Sequence, residues 1–332
     1  MMKYILITFT LLVVSFYFFP FQFRFLPAVN TKMALAALGL VILGIQLARN
    51  RNALINKDFF ILSIFAAFVS LAGLISVIYN ETPDYAYATY IISMWVWISA
   101  AYVVDSLIKW VHGTVSVYLL CNYLIALSAA QCILALTMDF SAPVKEFIFS
   151  IQDASVGDFF TRKARLSGLG AGLDVAGSRF SAVLIMISIL CVNNYQKIKP
   201  YLLLYILAFV VIGIIGNMIG RTTTVGMIIA IAYLIVGSAV YMSGKDRNHI
   251  WLCISSMLII AIPILIYGYY NIPELYDNLR FGFEGFFSLA EEGRWEVHSN
   301  EMLKQGYIFP DNLKTWLIGD GYFGTTNIDP YY

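Results

Sequence analysis

Nine apolar runs constrain the fold of this chain more than any other feature of its sequence. The runs lie near residues 4–19, 33–48, 59–79, 86–104, 114–137, 179–194, 200–218, 222–242 and 250–270. A helix needs roughly 20 apolar residues to cross the hydrocarbon core of a bilayer, which is about 30 Å thick. Most of the runs have that length and a few are short, so the sequence predicts about nine transmembrane helices.

The scarcity of charged residues excludes an ordinary water-soluble domain. Hydrophobic residues make up 60% of the 332 residues and charged residues only 12%, and the mean hydropathy is +0.76. Soluble domains are usually about one-quarter charged. The predicted fold class is therefore all-α, a polytopic integral membrane protein. The four cysteines all lie in apolar runs, where we interpret them as small core residues and expect neither disulfides nor a metal site.

The lysines and arginines of the short loops predict the orientation. Cations cluster in residues 48–58, 193–200 and 243–249, whereas residues 80–87 contain two acidic residues and no cation. Short cytoplasmic loops are enriched in Lys and Arg. The N-terminus is therefore predicted to be cytoplasmic, and residues 138–178 and everything after about residue 271 to lie outside.

Two domains follow from this orientation. Residues 1–271 are predicted to form a transmembrane helical bundle that includes the outer loop 138–178. Residues 272–332 are predicted to form a large outer loop with short helices, and they contain ten Asp and Glu against four Lys and Arg. We expect this loop to continue into further spans, so that the sequence would be a truncated product or a fragment.

Arg221 is an isolated cation between two apolar runs, in the stretch IIGNMIGRTTTVGMIIA of residues 214–230. The connection is so short that the sequence predicts a tight hairpin on the outer side. Arg221 either extends toward lipid headgroups or binds an anion. In the second interpretation, the flexible Gly220, the threonine hydroxyls and free amides at the start of the next helix assist it.

The segment after the last apolar run carries further candidates. Residues 288–306 are predicted to form one helix, because Ser288 and Glu291 have capping-box spacing. Arg294 and His298 are four residues apart, and this places them on one face of such a helix.

The apolar run LKTWLIGDGYFG, residues 313–324, ends in Gly-Asp-Gly. Glycines flanking an aspartate are typical of a tight turn. We predict a turn here that is held close to the membrane surface.

The order of these features resembles the O-antigen polymerase and O-antigen ligase family of bacterial envelope proteins. The resemblance rests on the short outer hairpin with Arg after Gly, then a span pair, then a large outer loop with an Arg-Trp helix and the IGDGYFG segment. RKARLSGLGAGLDVAGSRFSAVL, residues 162–184, resembles the Arg-x-x-Gly segment of that family. The resemblance extends over most of the chain from about residue 160 onward.

The resemblance implies transfer of a glycan from a polyprenyl-diphosphate carrier to an acceptor sugar hydroxyl, at the outer leaflet of the bacterial plasma membrane. It implies no metal ion, no cofactor and no nucleotide sugar. Arg221 and Arg294 match the arginines that hold the diphosphate, and a guanidinium suits this because it binds phosphate oxygens in a bidentate way. The expected partners are the polyprenyl-diphosphate-linked oligosaccharide, membrane lipids, and the chain-length regulator and flippase of the pathway; no nucleic acid is expected.

The general base is less defined. His298 is the histidine on the expected outer side, and Asp320 and Asp329 are weaker candidates. The ligase branch implicates a histidine later in the large loop, and this sequence has none there. That difference favours the polymerase branch, with the ligase as an alternative. His112 and His249 fall in predicted cytoplasmic loops as surface residues.

Other interpretations remain open. Arg165 and Arg179 are predicted to bind substrate, although the basic patch that includes Arg165 suits a solvated loop equally well. The glycines of residues 168–177 are interpreted as a flexible loop at the membrane surface, because no strand precedes them as a dinucleotide site would require. A flippase of lipid-linked glycans and a non-catalytic envelope-assembly protein are the other classes of function.

Overall fold

The computed structural model describes residues 2–49, 57–153, 166–300, 304 and 309–322, and almost all of this part of the chain is α-helical. The helices are α1 (Met2–Phe18), α2 (Thr31–Arg49), α3 (Lys57–Asn80), α4 (Tyr90–His112), α5 (Val117–Phe140), α6 (Ala142–Ile151), α7 (Leu173–Asn193), α8 (Tyr195–Ile198), α9 (Leu202–Ile219), α10 (Thr223–Tyr241), α11 (Gly244–Asn271), α12 (Pro273–Gly282), α13 (Glu284–Glu292) and α14 (Leu313–Leu317). A 3-10 turn, Lys199–Tyr201, joins α8 to α9, and the strands β1 (Gln22–Phe23) and β2 (Leu26–Asn30) pair antiparallel.

Eight helical stretches of the described chain are long and apolar enough to cross a membrane. They are Thr31–Arg49, Lys57–Asn80, Tyr90–His112, Val117–Phe140, Leu173–Asn193, Tyr195–Ile219, Thr223–Tyr241 and Gly244–Asn271. The first predicted run corresponds to α1, which has 17 residues and is shorter than the other eight. The chain is thus a membrane-embedded, nearly all-α protein, and nine spans with a large outer loop stay a prediction.

The helices form two compact units. Unit 1 comprises Met1–Thr31 and Leu107–Val297, and unit 2 comprises Lys32–Ser106 and His298–Tyr332. The predicted division of the chain at residue 271 stays a prediction.

Helix α7 forms the centre of unit 1. Its residues Phe180, Val183, Leu184 and Ile187 are fully buried against α5, α9 and α10. The closest approach is to α10, where a Cβ atom on Gly226 would lie 2.2 Å from the Cα of Ser181. Small residues at such crossings let the backbones of membrane helices pack closely.

In unit 2, the Gly-Asp-Gly turn that the sequence predicts is present. Gly319 and Gly321 have φ angles of +80° and +79°, which glycine adopts at little steric cost. The Asn80 amide donates to the carbonyl of Gly319 at 3.1 Å, and the Thr82 hydroxyl donates to that of Gly321 at 2.7 Å. The turn is therefore fastened to the end of α3. Residues 323–332 lie outside the described part.

The predicted single helix over residues 288–306 is wrong. Helix α13 ends at Glu292 because Gly293 adopts a left-handed conformation, φ +68°, and residues 294–297 are not helical. Ser288 lies inside α13 and does not cap it. Its hydroxyl accepts from the Glu296 amide at 3.0 Å and donates to the Glu296 carbonyl at 2.8 Å, so it folds the following chain back onto the helix.

Candidate functional site

The hairpin that carries Arg221 is as tight as predicted. Helix α9 ends at Ile219 and α10 begins at Thr223, so three residues make the connection. Gly220 has extended backbone, and a Cβ atom there would lie 2.5 Å from the carbonyl oxygen of Leu173. Because any side chain at this position would displace backbone, glycine allows the hairpin to lie against the start of α7.

The amides at the start of α10 are not free, contrary to the sequence interpretation. Those of Thr223, Thr224 and Val225 donate to carbonyl oxygens three residues earlier in the chain, at 3.0, 3.0 and 3.1 Å. A helix binds anions through amides that have no partner within the helix. This tightened first turn removes that contribution, and anion binding here depends on side chains.

The three threonine hydroxyls also serve the fold. Thr224 donates to the side-chain oxygen of Asn217 at 2.6 Å, and Thr223 donates to the carbonyl of Gly216 at 3.0 Å. Thr222 donates to the carboxylate of Asp174 at 3.3 Å. These bonds tie the hairpin to α9 and to the start of α7, and they hold the backbone that carries the arginine.

The guanidinium of Arg221 contacts groups that follow the last long helix. It forms an ion pair with the carboxylate of Glu284, the first residue of α13. Its central carbon lies 4.5 Å from the ring centroid of Phe281 in α12, within the range of a cation–π contact. The Arg221 side chain is only 20% exposed. The site therefore combines a cation, a carboxylate and an aromatic ring in a partly buried position.

Two contacts place α12 over the ends of the long helices. A Cβ atom on Gly282 would lie 2.9 Å from the backbone nitrogen of Met218, so α12 packs directly on the end of α9. The Asn278 amide donates to the carboxylate of Asp139 at 2.8 Å, near the end of α5. We call this end of unit 1, with Arg221, Glu284, Asp139 and Asp174, the arginine end.

A second arginine joins α12 to α13. Arg280 forms two parallel hydrogen bonds with the carboxylate of Glu291, both 2.7 Å long. This pairing lowers the pKa of Glu291 below its ordinary value and raises that of Arg280. Arg280 also lies 5.0 Å from the ring centroid of Phe287. The fork geometry fixes the turn between the helices, and thereby the position of Glu284.

The opposite end of unit 1 holds lysines and histidines. Tyr195 hydrogen-bonds the His249 ring at 2.7 Å, and Lys199 lies 3.6 Å from the carboxylate of Asp246. His112 similarly bonds the Tyr123 hydroxyl at 2.8 Å. Both histidines were predicted as surface residues, but both are partly buried and hydrogen-bonded. We call the group of Tyr195, Lys199, Asp246 and His249 the lysine end.

The other predicted site residues occupy different surroundings. Arg179, in α7, lies over the rings of Phe18 and Phe19 at 5.8 and 5.6 Å. Asp320 accepts hydrogen bonds from the Thr315 hydroxyl at 2.8 Å and from Lys314 at 3.3 Å. Arg165 and Asp329 lie outside the described residues.

Arg294 and His298 do not share a helical face, and that prediction is wrong because the chain between them is not helical. Arg294 belongs to unit 1 and His298 to unit 2. Both side chains are exposed. Within the part of the chain that the structure describes, Arg294 has neither an ion pair nor a hydrogen bond. The diphosphate-binding role of Arg294 and the catalytic role of His298 stay predictions.

Sequence reasoning missed Glu284. This residue is one of ten acidic residues after position 271, and no local pattern distinguishes it from the others. It lies 63 positions from its partner, and only the packing of α12 on α9 brings the two together. Across the described residues, no group of three or more His, Cys, Asp or Glu side chains is arranged to hold a metal ion.

Comparison of the chain with protein-family models, with curated proteins and with solved structures gives no match. The fold and the site therefore define only a class of protein. It is a membrane-embedded helical protein with a partly buried arginine–carboxylate pair at one end of a helical unit.

Proposed function

We propose that this protein polymerises carrier-linked oligosaccharide repeat units at the outer face of a bacterial plasma membrane, as a metal-independent glycosyltransferase. The observation that carries the proposal is the position of Arg221. A hairpin between two membrane-length helices presents the guanidinium to residues that follow the last such helix. A carrier-linked diphosphate lies at the membrane surface, so a cation that binds it has to lie near the ends of the membrane helices. A guanidinium suits this role because it binds phosphate oxygens in a bidentate way.

The grouping of segments in unit 1 supports the predicted alternation of its helices across the membrane. The ends of α5, α9 and α11 and the starts of α7 and α10 are all predicted to be outside, and the contacts of Asp139, Asp174, Arg221 and Glu284 bring them to one end of unit 1. The predicted cytoplasmic loops 193–200 and 243–249 meet at the lysine end. The predicted alternation of α5, α7, α9, α10 and α11 across the membrane therefore agrees with the contacts within unit 1, whereas the nine spans and the cytoplasmic N-terminus are part of the proposal.

The proposed reaction replaces one bond at the anomeric carbon of the donor glycan. The acceptor hydroxyl attacks this carbon, the carbon–oxygen bond to the diphosphate breaks, and polyprenyl diphosphate leaves with the electron pair. The hydroxyl proton passes to a general base. Arg221 stabilises the charge that develops on the leaving diphosphate, which is often the largest contribution to catalysis.

Glu284 has a positioning role in this proposal. Together with Phe281 it holds the guanidinium in place before the carrier binds, so that little reorganisation is needed during the reaction. When the diphosphate binds, its oxygens compete with the Glu284 carboxylate for the same cation.

The test is reconstitution. The full chain, purified and inserted into liposomes, is supplied with a polyprenyl-diphosphate-linked oligosaccharide, and the products are separated by size. We expect a ladder of longer glycans together with free polyprenyl diphosphate. The Arg221→Ala protein, inserted to the same level, is the matched control and should give no ladder.

Two other results would overturn the proposal. Movement of the carrier between leaflets without elongation would identify a flippase. Transfer to a lipid A core acceptor, but not to a second carrier-linked repeat unit, would identify a ligase.

A further inference from the structure

A cavity in unit 1 lies beside the proposed site and is not used by it. It is lined by residues 20–22, by Asn30 and Gln152, and by residues 168 and 170–173. Its volume is about 320 Å³. Small-molecule sites begin at roughly 300 Å³, so the cavity has room for a single sugar ring but not for an oligosaccharide.

The glycine-rich wall of this cavity is fixed in place, whereas the sequence suggested a flexible loop. The Gln131 carboxamide accepts from the Leu169 amide and donates to the Leu169 carbonyl, both at 3.0 Å. The Gln152 side-chain oxygen accepts from the Gly170 amide at 3.3 Å. Gly170 has φ +67°, and a Cβ atom on it would lie 2.4 Å from the carbonyl oxygen of Phe19. A wall held at three points is already shaped for a ligand.

Gln152 supplies a hydrogen-bond donor at this wall. The residue is 1% exposed, and its side-chain nitrogen has no hydrogen-bond partner within the described chain. A buried donor without a partner costs about 1–3 kcal/mol. A ligand oxygen in the cavity that Gln152 lines would satisfy this donor, so the residue favours a ligand that carries acceptor oxygens.

The lining indicates a neutral ligand. The described lining residues are amides, glycines and apolar side chains, and none of them is charged. Among these described lining residues, an anion would find no cation and a cation would find no carboxylate. Hydroxyl groups, which both donate and accept, suit carboxamides and backbone groups.

The cavity also adjoins the arginine hairpin. Leu173 lines the cavity, and its carbonyl oxygen is the atom that a Cβ on Gly220 would meet at 2.5 Å. A ligand in the cavity is therefore separated from the hairpin of Arg221 by one residue of the wall. This position suits a sugar of the same substrate whose diphosphate binds Arg221.

We infer that this cavity binds one neutral sugar ring of the glycan, with the Gln152 side-chain nitrogen donating to a ring or hydroxyl oxygen. The identification of the ligand as part of the glycan rests on the function proposed above. The cavity would then select which sugar the enzyme extends, whereas Arg221 would hold the carrier.

Saturation-transfer NMR on the full chain in detergent tests the inference with glucose, galactose, rhamnose and N-acetylglucosamine as probes and glycerol as the negative control. We expect transfer to at least one sugar. Gln152→Glu keeps the oxygen that accepts from Gly170 and removes the donor, so it should lower that transfer at least about tenfold, which corresponds to a loss of about 1.4 kcal/mol.

Gln46→Glu is the matched control, because it makes the same change in an exposed glutamine that does not line the cavity and whose side-chain oxygen accepts from the Tyr102 hydroxyl. It should retain most of the transfer. Gln152→Met removes both hydrogen-bonding groups without introducing a charge and should lose transfer as well; thermal melting establishes that each variant is folded. Equal losses in Gln152→Glu and Gln46→Glu, or no transfer to any sugar in the unmodified chain, would overturn the inference.

The result is distinguishable from failure of the proposed function. Arg221→Ala should bind the sugars normally, because Arg221 is not among the described residues that line the cavity. Sugar binding without polymer formation would support the cavity site and contradict the proposed polymerase. Polymer formation that Gln152→Met does not change would support the polymerase and contradict the cavity site.

Discussion

The two ends of unit 1 hold their charges in different ways. At the lysine end, Lys199 lies 3.6 Å from Asp246 and its side chain is 46% exposed. At the arginine end, Arg221 is 20% exposed and contacts both a carboxylate and an aromatic ring. An exposed ion pair between flexible side chains contributes little to stability or to binding.

This difference indicates which end of unit 1 carries the functional site. Four chain segments that are distant in sequence meet at the arginine end, and glycines at positions 220 and 282 allow their backbones to approach. A planar guanidinium on a fixed backbone presents its donors in a constant direction, which the flexible stem of a lysine does not. We therefore expect ligand chemistry at the arginine end and a cytoplasmic surface at the lysine end.

The largest expected effect is on activity. Arg221→Ala should lower polymer formation at least about a hundredfold, as the loss of a group that stabilises developing charge does, and Arg221→Lys should restore little. Lys199→Ala at the lysine end should leave polymer formation unchanged. Polymer length in a strain that lacks its own polymerase is the measurement, with membrane levels of each variant compared.

A variant of Glu284 tests the same site from the side of its carboxylate. Glu284→Gln keeps an oxygen beside Arg221 and should reduce polymer formation less than Arg221→Ala does. Because Glu284 both positions the arginine and competes with the diphosphate for it, the variant should lower kcat more than it raises the KM for the carrier-linked donor. Full activity from Arg221→Ala would mean that this arginine serves the membrane interface alone.

The next prediction concerns the side of the membrane. In a chain without native cysteines, Glu292→Cys near the arginine end should react with an impermeant thiol reagent once the outer barrier of the cells is opened. Lys245→Cys near the lysine end should react only after lysis. Both side chains are exposed in the structure, so access to the reagent depends on the membrane. The reverse pattern would invert the predicted orientation.

A third prediction compares packing at the two ends. Gly220→Ala places a methyl group 2.5 Å from a backbone carbonyl and should cost about 1–3 kcal/mol, as overpacking does. Gly244→Ala, next to the lysine end, is the control because a Cβ atom there would meet nothing within 4 Å. Thermal melting in detergent should separate the two variants. Similar melting temperatures would show that the hairpin at the arginine end accommodates the added methyl group without losing stability.

The smallest expected effect is on pH dependence. The pairing with Arg280 lowers the pKa of Glu291, so the folded state favours the ionised carboxylate. The resulting stabilisation is present above the unfolded pKa of a glutamate, about 4.3, and disappears as the pH falls through the lower folded value. Arg280→Gln should therefore lower the melting temperature slightly at pH 6, and the difference should shrink as the pH falls below the unfolded pKa of a glutamate. A difference that does not shrink on acidification would point to lost packing instead.

Local patterns in the sequence predicted part of this molecule well. The membrane-length helices follow from apolar runs, because hydropathy and helix length depend on each segment by itself. The tight hairpin at Arg221 and the turn at Gly319–Gly321 follow from short connections and from glycine. The predicted single helix over residues 288–306 does not form. The left-handed Gly293 ends the helix, and the Ser288 hydroxyl bonds the backbone of Glu296 instead of capping the helix.

The amino-acid sequence alone predicts a membrane-embedded helical chain with a lone arginine between two apolar helices. The contact of the arginine with Glu284, the bonded amides after it, and the Gln152 nitrogen that has no partner within the described chain at the wall of a cavity follow from packing between distant segments. The two kinds of feature differ in how far along the chain their causes lie. Hydropathy and turn chemistry act within a few residues, whereas ion pairs and cavities form between segments that only the packing of the whole unit brings together.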